Sequence, residues 1–583
     1  MTPAEPAAGA SEMRSVGVKV VRSGLWQKMT GVLSRLEHDG SDHLGDFTTT
    51  WQLVPMSAAA VGIGFLSAWV APALLRLIGL VTNLAFFQRW DVALVSPAGN
   101  ALGWLEVLVP VAGSLIIGFM ARYGSERIRG HGIPEALESI LIGGSRVEPR
   151  VAFLKPLSAA ISIGTGGPFG AEGPIIMTGG AFGSMLAQFF KLTSAERKTL
   201  LVAGAAGGMS ATFASPLAAV LLAVELLLFE WKPRSMIPVA LASATAAATR
   251  RYVIGLGPLF PVPPHPVFIG PAGLVGCAVV GLLAGALSAL LTLAVYAAED
   301  AFRLLPIHWM WWPAIGGMFV GVGGLLEPRA LGVGYDVIHD LLDGRLVGGF
   351  LLGLLLVKAV IWGIALGSGT AGGVLAPLLI MGGALGALGA HLLHNPHPGL
   401  WAMIGMASLV GGTMQMPLTA IVLMLELTGD LAAVPGLVIG CVAATGVTVL
   451  MMKRSILTEK LARRGQHVMR EYSVNALHVL RVEDVMEPAV HDPPAPLEPS
   501  PVVAYGDELL EHAMTRMLEY EVDALPVVRR DTPTQVIGYV ERAGVMAAWV
   551  ASTRSEGTRE EGWLSGQLRT LQERVRQALT RAD

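Results

Sequence analysis

The stretch Gly164–Ala187, GTGGPFGAEGPIIMTGGAFGSMLA, carries one carboxylate, Glu172, among glycines and prolines. Gly and Pro at this density interrupt a helix, so we expect Pro174 to lie in the first turn of a new one. The start of a helix offers unpaired backbone N–H groups and the positive end of the helix dipole, and both favour an anion. A glutamate at this point can therefore occupy the position of the anion itself.

The same pattern recurs in Gly367–Ala390, GSGTAGGVLAPLLIMGGALGALGA, which aligns with the first stretch without a gap. A second matching pair follows in the same order: PLAAVLLAVEL at 216–226 and PLTAIVLMLEL at 417–427. Two ordered pairs predict that the apolar part of the chain is an internal duplication. Apolar segments that Gly and Pro interrupt at matching places of two halves indicate an ion or substrate site near the bilayer midplane.

The composition is typical of a membrane protein, since 53% of the 583 residues are hydrophobic and 15% are charged, against roughly 25% charged in soluble domains. The net charge is −3, and because no basic patch with interleaved aromatic residues is present, we expect no nucleic-acid partner. The two cysteines, Cys277 and Cys441, lie inside apolar runs. They form neither a CxxC metal motif nor a disulfide framework, so we expect no metal and no cofactor.

Three short motifs resemble those of the CLC family of chloride channels and chloride/proton antiporters, of the bacterial type with a C-terminal CBS motif. Family members carry, roughly, GSGIPE, GREGP and GxFxP. This chain has GHGIPE at 130–135, GAEGP at 170–174 and GVLAP at 373–377, and the resemblance covers about residues 50–465. It implies an all-α polytopic membrane protein, an inverted internal repeat with broken and re-entrant helices, plus a small α/β cytoplasmic CBS-like domain. It implies anion transport and not an enzyme.

The resemblance also implies roles for individual residues. Glu172 matches the gating glutamate of the family, which blocks the anion path when ionised and clears it when protonated or displaced. A carboxylate inside a membrane is by itself a functional hypothesis. Groups of the three motifs, and the position of a family tyrosine near the end of the membrane region, are expected at the anion: His131, Gly132, Ile133, Gly170, Gly173, Val374, Leu375 and Leu457.

Three of these positions depart from the family pattern. His131 replaces a serine, Leu375 replaces a phenylalanine, and Leu457 replaces the tyrosine whose hydroxyl donates to the anion. The imidazole either donates a hydrogen bond to the anion, and becomes charged as the pH falls through about 6.5, or it points away and leaves the anion to backbone N–H groups. Without the tyrosine hydroxyl, we expect an inner anion site that is weaker or wider than in typical relatives.

A further departure concerns protons. Exchangers of the family usually carry a proton-transfer glutamate where this chain has Leu226, and leucine cannot relay protons. Glu225 and Glu426, at the ends of the matched PL…EL segments, are interpreted mainly as structural carboxylates. Lys155 precedes Glu172 as a lysine does in relatives, where it either biases the pathway towards anions or is a plain cytoplasmic lysine.

We therefore expect a passive chloride channel, with a chloride/proton antiporter that uses an atypical proton route as the alternative. The altered positions leave bromide, nitrate, fluoride and bicarbonate open as the anion. Two distant alternatives are an intramembrane enzyme built on His131, Glu135 and Glu172, and an anion sensor that signals through the CBS region without transport. No HExxH motif supports the enzyme.

The remaining predictions concern organisation. Long apolar runs are expected to span the bilayer at Val54–Leu80, Leu102–Ala121, Phe268–Ala297, Trp309–Leu326, Phe350–Leu366, Gly382–Leu393 and Gly436–Met452. Basic stretches beside them favour a multi-pass protein of the cell membrane with both termini in the cytoplasm. The expected parts are a cytoplasmic N-terminal segment 1–50 with an amphipathic helix near Leu25–Leu36, a transmembrane domain 51–465 with repeat halves of about 51–250 and 268–465, one CBS-like β-α-β-β-α motif at 473–555, and a charged C-terminal helix at 556–583.

CBS motifs normally pair, and this chain has one. A single copy would leave its pairing surface open, so we expect a homodimer in which the copies pair across subunits. Glu541 and Gly544 stand where nucleotide-binding CBS motifs have Thr and Asp, which argues against a bound nucleotide.

Overall fold

The structure, a computed structural model, describes residues 49–255, 257–266, 269–392, 394–466, 477, 480–489, 502–533, 535–557 and 559–560. The amphipathic helix predicted near Leu25–Leu36 and the charged helix predicted beyond residue 560 lie outside the described residues.

The first half of the membrane part consists of eight helices of very different length. They are α1 (Leu53–Phe87), α2 (Leu108–Tyr123), α3 (Ile133–Leu141), α4 (Pro149–Gly164), α5 (Glu172–Gln188), α6 (Ser194–Phe213), α7 (Pro216–Leu222), which continues as a π-helical turn (Ala223–Leu228), and α8 (Pro233–Arg250).

The second half repeats this series. It consists of α9 (Gly270–Arg303), α10 (Trp312–Leu326), α11 (Tyr335–Leu342), α12 (Gly349–Gly367), α13 (Leu375–Leu392), α14 (Pro398–Met414), α15 (Pro417–Thr428) and α16 (Val434–Met451), followed by α17 (Ile456–Arg463). Each helix of the first half corresponds to the helix eight places later. Helix α5 begins at Glu172 and α13 begins at Leu375, the residue that aligns with Glu172 in the repeat.

Seven helical segments of the described chain are long and apolar enough to cross a membrane. Every predicted apolar run overlaps one of them. Several predicted boundaries were wrong. Helix α1 continues past Leu80 to Phe87. Helix α13 starts at Leu375 and not at Gly382, because Pro377 lies in its first turn, where proline is tolerated. Helix α9 continues past Ala297 to Arg303, because the charged residues after Ala297 end the apolar run but do not end the helix.

Several helices cannot span a bilayer and end inside the protein. Helix α3 has nine residues and is therefore about 14 Å long, against a hydrocarbon thickness of about 30 Å. Most of its side chains are buried, as are those of α5. Non-helical backbone at such depth is tolerated only where protein or a cavity surrounds it. The broken helices therefore place several helix N-termini in the interior.

Glycines let the central helices approach closely. A Cβ atom at Gly179 of α5 would collide with the carbonyl of Gly204 in α6, and one at Gly382 of α13 would collide with that of Gly405 in α14. These contacts are repeat partners. Small residues at helix crossings are typical of membrane proteins, and here they hold α5 and α13 in equivalent positions.

The C-terminal region is a small α/β unit. Strands β2 (Glu487–Pro488), β3 (Ala504–Tyr505), β4 (Ala524–Val528) and β5 (Val536–Glu541) form a sheet in the order β2-β5-β4-β3, and α18 (Leu510–Glu519) and α19 (Arg542–Gly557) belong to the same unit. The order β3-α18-β4-β5-α19 is the predicted β-α-β-β-α. Its identification as a CBS motif stays a prediction. A short strand β1 (Leu192–Thr193), between α5 and α6, pairs with β6 (Arg559–Glu560).

Candidate functional site

Glu172 lies where the two halves meet. It begins α5, only 1% of it is exposed, and its Oε2 atom lies against the backbone of Gly170 and Gly373. The N–H of Gly170 donates to the carbonyl of Gly373 (3.0 Å), and the N–H of Gly373 donates to that of Gly170 (2.8 Å). Because these two glycines are repeat partners, this bridge lies on the pseudo-twofold axis.

The Glu172 carboxylate is surrounded by groups that favour a negative charge. It faces the backbone N–H of Ala376 in the first turn of α13, the hydroxyl of Tyr335 at the start of α11, and the charge of Lys358. Among the described residues, neither carboxylate oxygen completes a hydrogen bond, and neither does the Tyr335 hydroxyl. The carboxylate thus lies beside helix N-termini, which favour a negative charge.

Lys358 was not predicted, although the repeat contains the signal for it, because it aligns with Lys155. Both lysines are fully buried. The Nζ of Lys155 donates to the carbonyls of Ile128 (2.8 Å) and Gly130 (2.7 Å). The Nζ of Lys358 donates to those of Ala330 (2.7 Å) and Gly332 (3.5 Å), which are the repeat partners of Ile128 and Gly130. Each lysine therefore holds the loop before a short helix, α3 or α11, and leaves its charge in the interior.

The motif at 130–135 forms the N-terminus of α3. Gly132 has φ +89°, a conformation that favours glycine, and its N–H donates to the Glu135 carboxylate at 3.0 Å. That N–H, predicted to contact the anion, is occupied here. Glu135 also accepts from Lys460 at 2.7 Å, so this member of the enzyme hypothesis is held in a structural ion pair. Ile133 begins the helix and is buried.

His131 is 2% exposed, and its Nδ1 atom has no hydrogen-bond partner among the described residues. Its carbonyl lies against Gly173, the second residue of α5. The structure thus brings His131 to the start of the helix that carries Glu172. Its side chain keeps an unused polar atom in a buried position.

Of the remaining residues predicted to contact the anion, some lie beside Glu172 and others do not. Val374 and Leu375 begin α13 and are buried, so their backbone lies beside Glu172. The N–H of Gly170 is used in the bridge to Gly373. Leu457 is fully buried in α17 and supplies no hydroxyl. The nearby hydroxyl of Tyr296 donates to the carbonyl of Ile456, so it does not replace the missing tyrosine.

Glu225 and Glu426 bind the opposite halves of the protein. Glu426 accepts from the N–H groups of Leu217 and Ala218, both at 2.9 Å, at the start of α7. Glu225 accepts from the N–H (2.7 Å) and the hydroxyl (2.6 Å) of Thr419 at the start of α15. Each carboxylate caps the helix that corresponds to its own. Leu226, the residue after Glu225, is fully buried.

Two cavities lie near the residues described above. The larger has a volume of about 620 Å³, and we call it the basic vestibule because its lining includes Arg127, Arg129, His131, Lys460, Arg463 and Arg464. The small cavity has a volume of about 80 Å³ and ends at Gly332–Asp336, next to Tyr335. Glu172 lines neither. Among the described residues, no group of His, Cys, Asp or Glu side chains is arranged to hold a metal ion.

A buried carboxylate at facing helix N-termini, in a multi-pass protein of inverted helical repeats, indicates anion transport across a membrane. Comparison with known proteins identifies the family. The profile of the family described as voltage gated chloride channel matches residues 112–449, more than half of the chain. The chain belongs to this family, the CLC proteins, and it is a transport protein and not an enzyme.

Curated relatives include both transport classes. A putative chloride channel protein ClcB-like from Ralstonia nicotianae is 28% identical over 412 residues, which is 67% of this chain and 96% of the relative. The H(+)/Cl(-) exchange transporter ClcA from Yersinia pseudotuberculosis is 30% identical over 422 residues, 66% of this chain and 86% of the relative.

Solved structures share the fold. That of a slow cyanobacterial Cl⁻/H⁺ antiporter matches with a TM-score of 0.62 and 23% identity, over 70% of this chain and 97% of the other. That of a CLC-type fluoride/proton antiporter matches with a TM-score of 0.59 and 21% identity, over 69% and 97%.

Proposed function

We propose that this protein exchanges chloride for protons across the cell membrane, with Glu172 as the gate for both. The observation that supports this most is the position of the Glu172 carboxylate, which is buried at the junction of the two repeats, has no ion-pair partner among the described residues and faces the N-terminus of α13. The curated relatives named as exchange transporters support the same function. The passive channel, our first expectation from the sequence, becomes the second candidate.

The gate works by competition for the start of α13. When ionised, the Glu172 carboxylate occupies the region of the Ala376 N–H and excludes an anion. An arriving anion displaces it, or a proton neutralises it, and either event frees the helix N-terminus. The displaced Glu172 carboxylate can take up a proton from the other side. The same carboxylate therefore binds a proton and gives way to an anion in turn, and this couples the two movements.

Protons need a route that avoids Leu226. Glu225 is held by its hydrogen bonds to Thr419. Glu230, in the connection before α8, is buried, which opposes its charge, but Lys198, Ser235 and Lys232 outweigh burial and hold its pKa below the usual range. It therefore stays ionised at neutral pH. We assign the transfer to His131, which lines the basic vestibule with a free Nδ1 and contacts the start of α5.

A passive chloride channel is favoured by one specific observation. Leu226 and Leu457 remove a proton carrier and a hydroxyl at positions where family members have them, and both leucines are fully buried with no polar group in their place. If protons cannot reach Glu172 from the vestibule, anion flux loses its coupling and becomes passive.

The reversal potential of the purified protein in a planar bilayer separates the two functions. Under a chloride gradient, an added pH gradient should move the reversal potential of an exchanger away from the chloride Nernst value. Replacing His131 with Ala should abolish that shift while chloride current remains. A wild-type potential that stays at the chloride Nernst value at every pH gradient would contradict exchange and leave the channel.

We further propose that two copies pair in the membrane and that the basic vestibule and both termini face the cytoplasm. Arg303, Arg463 and Arg464 at the vestibule support this orientation, since positive charges are retained on the inner side. Exposed leucines on the capped helices, Leu217 and Leu418, offer a self-complementary apolar face. Because Cys277 and Cys441 are buried, a cysteine introduced at Leu418 should crosslink a dimer without background, and a monomer on the gel would contradict the pairing.

A further inference from the structure

The first part of the connection between α1 and α2, residues 88–102, lies over the small cavity, and we call this segment the strap. Residues 94–97 of the strap and residues 332–336, which lead into α11, line the same cavity. The two linings touch, because a Cβ atom at Gly332 would lie 3.2 Å from the Cδ atom of Pro97. The strap is therefore one wall of the small cavity.

The residues that the strap helps to cover lead to the proposed gate. Pro97 and Val333, which both line the cavity, are buried. Tyr335 belongs to the same lining, and its hydroxyl, which faces the Glu172 carboxylate, is buried as well. In this conformation, solvent does not reach the hydroxyl beside the gate.

A fully buried side chain of α1, Asn83, holds the strap. Its Nδ2 atom donates to the carbonyls of Asp91 (3.1 Å) and Ala93 (2.8 Å), and its Oδ1 atom accepts from the Nε of Arg89 (2.6 Å). Gly79, one turn earlier in α1, lets the strap come this close, because a Cβ atom there would collide with the strap backbone. One amide thus makes three hydrogen bonds to the strap.

The rest of the strap offers little resistance to movement. All residues from 88 to 94 are exposed, so they bury little apolar surface. Gln88, where the strap begins, has φ +52°, which is uncommon for a residue other than glycine. Gly99, near the other end, has φ +89°, and no atom of the described residues lies within 4 Å of where its Cβ would be. A segment with a turning point near each end and a polar attachment between them can open locally while the helices stay folded.

We propose that the strap is a lid that lifts to connect the small cavity with the solution, and that Asn83 is its latch. Opening breaks the three hydrogen bonds of the latch, so the open lid is the minor state of the wild type, and loss of the latch raises its population. Under the proposed function, on which this inference rests, an anion passes between the solution and Glu172 through the small cavity only while the lid is open.

The reactivity of a cysteine at Val333 tests the lid without a transport measurement, since the two natural cysteines are buried. The full-length V333C protein should react slowly with a negatively charged methanethiosulfonate reagent. Adding N83A should raise the rate about ten-fold or more, as expected when several hydrogen bonds are lost. N395A is the matched control, because Asn395 holds a different connection by accepting from the N–H of His397, and it should leave the rate unchanged. Equal rates with and without N83A, or equal acceleration by N395A, would overturn the lid.

A disulfide that locks the strap tests what the lid does for transport. P97C/G332C places two thiols at the contact between the two linings, within the reach of a disulfide, and a count of free thiols in the denatured protein verifies the bond. Oxidation should stop chloride flux in liposomes and reduction should restore it, whereas neither treatment should affect the single variants. Full flux in the crosslinked protein would overturn the lid. Absence of chloride flux in the wild type would overturn the proposed function alone, because the reactivity of V333C would still report the lid.

Discussion

At the residue scale, the proposed function depends on the charge of one side chain, Glu172. The Glu172 carboxylate lies at the start of α5 and faces the start of α13, and no side chain of opposite charge forms an ion pair with it within the described structure. A group held only by helix N-termini can be exchanged for another anion, whereas an ion-paired carboxylate would be fixed. Under the proposed function, this would allow one glutamate to close the anion path and still leave it.

E172Q should therefore free the path permanently. Glutamine has the shape of the protonated acid but no charge, so it cannot compete with an anion for the start of α13. We expect chloride flux in liposomes to become independent of pH between about 5 and 8 and proton movement to cease. E327Q, in the connection after α10, is the control and should behave as the wild type. A pH-dependent chloride flux in E172Q would contradict the gate.

Tyr335 was not singled out from the sequence, because its significance arises only when α11 is placed against α5. Its hydroxyl faces the Glu172 carboxylate, and a hydrogen-bond donor favours the charged form of an acid. Y335F removes that donor and keeps the ring in contact with Phe260, 5.7 Å away between centroids. The ionised, closed gate should be less stable, so half-maximal chloride flux should move to a higher pH by about one unit.

Chloride flux measured from pH 4 to 8 tests this shift, and Y252F, at an exposed tyrosine after α8, is the matched control. A midpoint that stays in place or moves to a lower pH would show that the hydroxyl does not stabilise the ionised gate.

At the element scale, the sequence predicts the long helices well and the short ones poorly. Apolar runs mark the spanning helices because lipid exposure demands them along most of their length, and Pro174 correctly marks the first turn of α5. Helices α3 and α11 were not predicted as elements, since eight or nine residues are fewer than a sequence pattern needs to mark a helix. Contacts between the halves, which join residues about 200 positions apart, have no local signal at all.

The reciprocal caps of Glu225 and Glu426 are such contacts, and they carry a prediction about stability. E426A leaves the N–H groups of Leu217 and Ala218 at the start of α7 without acceptors. Loss of an N-terminal cap costs about 1 kcal/mol, so the melting temperature in detergent should fall by a few degrees. E426Q, which keeps one acceptor oxygen, should lose less. Proton coupling should remain in both variants. An unchanged melting temperature with lost coupling would instead place Glu426 on the proton route.

At the scale of the whole molecule, the duplication places one buried lysine near each of the two cavities. The repeat places Lys155 with the loop before α3, beside the vestibule, and Lys358 with the loop before α11, beside the small cavity. The family resemblance pointed only to Lys155, which precedes Glu172 as a lysine does in relatives, although Lys358 lies at the same distance before the motif at 373–377. Applying the repeat alignment to every charged residue would have found the second.

Inverted symmetry then predicts opposite sidedness for matched substitutions. K155M and K358M each remove one buried charge, whose attraction for an anion several ångströms away is of the order of 1–2 kcal/mol at an effective dielectric constant near 20. K155M should raise the half-saturating chloride concentration about ten-fold on the vestibule side and little on the other. K358M should do the reverse. Oriented liposomes with chloride varied on one side measure both constants.

Because both lysines also hold loops through their Nζ atoms, K155R and K358R, which keep the charge, should retain affinity if charge is the cause. Loss of affinity on both sides in either Met variant would show that the two half-pathways are not independent.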